Sequence, residues 1–221
     1  MNWSQPVDLY CERLDPSFWA EPLNALTNLS FLIAAVVAFI QWRRAGGKDW
    51  PVLALIGVTA AIGIGSFIFH TVATRGAALF DTVPIAVFIY GYLLLALRRF
   101  LRLSGLIAAA ALAGFVVLSV LEARVVPPGT LNGSHAYLPP LAALVVVGWL
   151  SNDRRSGRLL LTAAAVLALS IVFRSIDQAV CPTLPVGTHF LWHMLNGLVL
   201  YLALRAAMPG ELPAASSSRP A

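Results

Sequence analysis

The chain has 221 residues, 59% of them hydrophobic and only 11% charged, with a mean hydropathy of +0.80. A soluble domain carries about 25% charged residues, so this composition is that of a polytopic membrane protein, and seven crossings of roughly 20 residues each leave no room for a separate soluble catalytic domain. The net charge of +5 does not point to a nucleic acid, because its arginines are dispersed at segment ends, where they act as a topology signal.

Residues 1–23 hold Asp8, Glu12, Asp15 and Glu21 among aromatic residues. They lack a basic region leading into an apolar core and are expected to be retained as an acidic outer segment rather than cleaved as a signal peptide. Seven apolar runs follow, at roughly 24–42, 51–70, 78–97, 103–121, 136–150, 159–177 and 188–207. The fifth is the shortest and contains Pro139 and Pro140, so its helix is expected to start before its apolar core. Residues 208–221 are rich in Pro, Ala and Ser and are expected to form a disordered cytoplasmic tail. The chain therefore reads as all-α, with a single seven-helix membrane domain over 1–207.

The turns after the first, third and fifth runs carry Arg43, Arg44 and Lys48, then Arg98, Arg99 and Arg102, then Arg154, Arg155 and Arg158. With Arg205 and Arg219 they put eleven basic residues on one side, against Arg13, Arg75, Arg124 and Arg174 on the other. The positive-inside rule then places the C-terminus in the cytoplasm and the N-terminus outside. In a bacterial inner membrane the outer face is periplasmic.

All four histidines, His70, His135, His189 and His193, fall at outer ends or in outer loops. His189 and His193 are one helical turn apart, so both imidazoles share a face, the spacing used by helical zinc sites. His70 closes the second run at about the same depth. Three imidazoles with one position left open for water are the arrangement of catalytic zinc, against the plainer reading of interfacial histidines bonded to carbonyls or water. Ser66 lies one turn before His70 on a similar face. Asp81 is an ionisable group in an apolar run, which suggests function, while an N-cap beside Pro84 is its structural alternative. Arg174 and Asp177, three apart, read as an ion pair, and Trp19 and Trp192 as parts of an interfacial aromatic belt. Cys11 and Cys181 are the only cysteines. Both are expected on the outer side, where a disulfide can persist, with two free thiols as the alternative.

These residues together resemble the membrane hydrolase superfamily of alkaline ceramidases, adiponectin-type receptors and Per1-like lipid remodellers, and most of all the alkaline ceramidase family. The motifs that carry the resemblance are D-L-Y-C-E (Asp8 to Glu12), E-P-L-N (Glu21 to Asn24), G-S-F-I-F-H (Gly65 to His70), Asp81, and H-F-L-W-H (His189 to His193). The resemblance implies a zinc ion on His70, His189 and His193, proton handling by Asp81, and Ser66 lining the site. It also implies calcium held by Asp8, Tyr10, Glu12, Asp15 and Glu21 through carboxylate and main-chain oxygens. The chain departs from the animal members here: Tyr10 replaces a Trp, Leu14 stands where they carry a ligand, and the spacing to Glu21 is shorter.

The expected activity is zinc-dependent hydrolysis of the N-acyl bond of ceramide or a related N-acyl lipid, in the membrane and with no obligate protein partner. Zinc lowers the pKa of a bound water to about 7, Asp81 carries a proton to the leaving amine, and Ser66 donates to the developing oxyanion. The alternatives are hydrolysis of another lipid acyl bond and a lipid-binding receptor without turnover.

Overall fold

The computed structural model of the chain describes residues 2–209. They form α1 (Pro22–Thr27), α2 (Leu29–Arg44), α3 (Trp50–Val72), α4 (Arg75–Arg99), α5 (Gly105–Val125), α6 (Leu138–Leu150), α7 (Arg154–Val180) and α8 (His189–Ala207). A 3₁₀ element, Thr130–Tyr137, precedes α6. With α1 and α2 joined as one span, and the 3₁₀ element and α6 as another, seven helical spans are long and apolar enough to cross a membrane. The early start of the fifth span agrees with the expectation raised by its two prolines. Among the described residues there is no strand, only an isolated bridge between Pro6 and Thr74. Met208, expected in the tail, is buried in the core, while the expected tail from 210 onward lies outside the described residues.

Four helices, α3, α4, α5 and α7, start where the preceding residue supplies an oxygen for an unpaired N–H. Asp49 accepts from the Val52 amide, Thr74 from Ala77, Ser104 from Ile107, and Asp153 from Arg155 and Ser156. The capping of α4 by Thr74 corrects the alternative reading of Asp81. That residue lies nearly two turns inside α4, where no unpaired amide needs it.

The half of the bundle away from the histidines is an apolar core that includes Ala38, Trp42, Val52, Leu55, Ala96, Leu97 and Leu204. Its mouth is tied by Arg99, whose guanidinium lies 2.7 Å from Asp49. On α5 only Ala108 is buried, so nearly all of that helix faces outward. The opposite end is closed by the N-terminal segment: Val7 donates to the Ala73 carbonyl (2.8 Å), and Arg75 to that of Gln5 (3.0 Å). A disulfide joins Cys11 to Cys181, with Cα atoms 5.4 Å apart.

Candidate metal centre

His70 lies in the last turn of α3, while His189 and His193 occupy the first two turns of α8. The entry angle of α8 is set from α7. The Asp177 carboxylate accepts from the amides of Thr188 (2.6 Å) and His189 (2.9 Å), and its other oxygen accepts from the Cys11 amide (3.1 Å). Thr188, the residue in the N-cap position, makes no side-chain cap of its own, so Asp177 does this at long range. Gly187 permits the turn, because its φ of +63° is left-handed and a Cβ there would run into Asp177. The expected Arg174–Asp177 ion pair is therefore corrected: the Asp177 oxygens are taken up by backbone amides.

The three imidazoles are at most 2% exposed. Their ring centres lie 4.6 to 5.2 Å apart, and one nitrogen from each falls within 4.8 Å of the others. Among the described residues they are the one group of three or more His, Cys, Asp or Glu side chains arranged to hold a metal. Nε2 of His70 and Nδ1 of His189 are buried with no hydrogen-bond partner. Unpaired buried nitrogens are costly, and a metal ion would satisfy them, so the donor set fits a metal.

A second layer orients the rings. Glu21 Oε2 lies 2.6 Å from His70 Nδ1, and Thr27 Oγ1 lies 3.0 Å from His193 Nδ1. The Tyr10 ring stacks on His189 at 3.6 Å between centroids. A carboxylate behind a ligating imidazole fixes its tautomer and raises its basicity. Burial by itself would push the Glu21 carboxyl up, but its bonds to His70 and Arg13 outweigh this and hold it below the usual carboxylate range. Burial pushes the Tyr10 phenol up to about 12.

Ser66 is buried on α3, one turn from His70. Asp81 on α4 lies within side-chain hydrogen-bonding reach of it and close enough to His70 and Arg174 to interact electrostatically with both. The structure thus gathers the five residues singled out by sequence, Ser66, His70, Asp81, His189 and His193, at one level of the bundle.

Other expectations separate from this group. His135 stands apart, its Nδ1 2.5 Å from Glu122 Oε1. Trp192 is buried at 5% exposure and packs on Tyr137, so it is not a belt residue, whereas Trp19 is 54% exposed. The acids expected to hold calcium do not converge: Asp8 and Asp15 are exposed, and Glu12 and Glu21 point to other partners. Sequence reasoning missed Glu21 as the partner of His70, Thr27 as the partner of His193, Tyr10 as the lid of His189, and Asp177 as the cap of α8. The signal for Glu21 was its place just before Pro22, at the start of a helix at the histidines' level.

A protein-family model described as Ceramidase matches residues 10–209. The chain belongs to the Ceramidase family. The match covers all seven spans and every residue of the site. No curated protein matches the chain. Membership of the Ceramidase family supports, in general terms, a membrane hydrolase acting on the amide bond of a ceramide-like lipid.

Proposed function

We propose that the protein is a zinc-dependent intramembrane amidase that hydrolyses ceramide or a related N-acyl lipid to a free fatty acid and a long-chain amine. The observation that carries this reading is the convergence of three buried imidazoles, two with an unpartnered nitrogen, beside Ser66 and Asp81. Zinc held by His70, His189 and His193 would supply a water of lowered pKa, about 7, and polarise the acyl carbonyl. Asp81 accepts the proton released as water attacks the carbonyl carbon and returns it to the nitrogen as the C–N bond breaks. Ser66 donates to the oxygen that gains charge.

Beneath the centre lies an apolar chamber lined by Phe31, Phe88, Tyr92, Phe115, Leu144 and Trp192, among others. The Phe31 ring is 6.3 Å from that of His193, so an acyl chain in the chamber would bring its carbonyl to the histidines. The asymmetry of basic residues supports an outside N-terminus and a cytoplasmic C-terminus. In a bacterial inner membrane the site then opens to the periplasm, within a single domain over 1–207.

Purified protein incubated separately with ceramide, other N-acyl amines and phospholipids tests the reading. Fatty acid and long-chain amine in equal amounts are expected from an N-acyl substrate. Product from phospholipid alone would replace the amidase with an ester hydrolase, and lipid binding without product would favour a receptor.

A further inference from the structure

The family resemblance implies calcium among the acids of the N-terminal segment, and the residues present do not fit it. Glu12 uses both carboxylate oxygens on the amides of Leu23 (2.7 Å) and Asn24 (2.8 Å), capping the start of α1. Asp15 accepts from the Ser17 amide at 2.7 Å. Glu21 is shared between Arg13, His70 and the Asn24 side-chain amide. The cation in their midst is the guanidinium of Arg13, a residue only 6% exposed. Its Nε lies 2.5 Å from Glu21 Oε1, Nη1 donates to the carbonyls of Asp15 (3.1 Å) and Ser17 (3.3 Å), and Nη2 donates to the carbonyl of His70 (3.0 Å). One carboxylate and three carbonyl oxygens converge on it, the kind of oxygen set a hard cation attracts.

We propose that Arg13 is the resident cation of this outer cap, so that the protein neither binds nor needs calcium, and that it positions His70 through Glu21. A guanidinium carries its charge at any working pH and directs its donors in a fixed plane. Because it is part of the chain, its occupancy does not depend on a free ion. It grips His70 twice, at the main-chain carbonyl directly and at Nδ1 through Glu21. That leaves Nε2 as the only free nitrogen on the ring and fixes where it points.

The positioning role rests on His70 being a zinc ligand; the calcium independence does not, so the two parts are tested separately. Full-length protein in detergent, passed through a calcium-free buffer, is expected to contain no calcium by elemental analysis and to keep its Tm as calcium is added to millimolar levels. One calcium per chain, or a Tm rise of several degrees, would overturn the first part.

For the second part, Arg13→Met is expected to release zinc to a chromophoric chelator roughly 10-fold faster than wild type, at the lower end of the effect of losing a partner behind a metal ligand. Leu97→Ala, a core truncation on a helix that carries no histidine, serves as the control for general destabilisation. It is expected to lower Tm while releasing zinc at the wild-type rate. Equal zinc release from Arg13→Met and Leu97→Ala would overturn the positioning role. Arg13→Lys, which keeps the charge and loses the planar fork, carries the same comparison should Arg13→Met fail to fold.

Discussion

Gly65 on α3 lies so close to the backbone carbonyl of Phe80 on α4 that no Cβ fits between them. The next residue on each helix is Ser66 and Asp81, so this contact sets the approach of the two side chains proposed to handle protons and charge. Gly65→Ala must push the helices apart at that point, since a backbone carbonyl cannot swing away as a flexible side chain would. A displacement of about 1 Å between catalytic groups can cost 10²-fold in rate. We expect Gly65→Ala to keep its zinc and lose roughly that much in kcat. Unchanged kcat in the presence of bound zinc would mean that the Ser66–Asp81 spacing is not set by this contact.

Asp81 stands inside α4 with no capping duty, so its replacement tests chemistry rather than folding. Asp81→Asn is nearly isosteric but cannot accept and return a proton, and a lost general acid or base costs about 10²- to 10⁴-fold. The variant is expected to retain zinc and its Tm while kcat falls by at least 10²-fold. Ser66→Ala should lose less, because its one donated hydrogen bond would only supplement the polarisation of the carbonyl by the proposed zinc. Wild-type turnover by Asp81→Asn would take Asp81 out of the reaction.

Elemental analysis of the purified protein is expected to find one zinc per chain. The double variant His189→Ala, His193→Ala removes two of three ligands from a single helix face and should carry none, even when zinc is supplied in slight excess. Glu21→Gln keeps all three histidines and removes the carboxylate charge that pairs with both His70 and Arg13, so it should bind zinc about 10- to 100-fold more weakly than wild type. Full zinc occupancy in the double variant would refute the assignment.

The seven spans and the histidine trio were legible in the sequence because each rests on a local regularity: apolar runs of spanning length, and two histidines one helical turn apart at the depth of a third. What could not be read depends on contacts far apart in the chain. Glu21 and His70 are 49 residues apart, and only the packing of α1 against the C-terminal end of α3 shows that this acid serves an imidazole. Asp177 looked like the partner of Arg174 because the two are three apart on one helix. One of its oxygens instead faces the amides that open α8, a pairing set by the turn at Gly187, and the other faces the Cys11 amide. Arg13 read only as one of the few basic residues expected on the outer side. Its burial, and the carbonyls that converge on it, exist only once the segment is folded over α3.

Arg174 provides the last test, because it joins two functions that a conservative substitution separates. Its guanidinium donates to the Asn132 carbonyl (2.7 Å) and the Ser134 hydroxyl (3.1 Å), and it lies over the rings of Tyr137 and Trp192 at 5.6 and 5.4 Å. It thereby holds the tight turn through Leu131, Asn132 and Gly133, all of them in left-handed conformation. Hydrogen bonds from a charged group contribute about 1.5 to 3 kcal/mol, which in a chain of this size corresponds to a Tm loss of roughly 3 to 12 °C for Arg174→Met. The same charge acts on Asp81 across the mouth of the site. Arg174→Met removes that charge and is therefore expected to lower kcat as well as Tm. A lysine keeps the charge without the planar fork or the stacking on rings, so Arg174→Lys is expected to recover most of that kcat and little of the lost Tm. Equal kcat for the lysine and methionine variants would confine Arg174 to holding the turn.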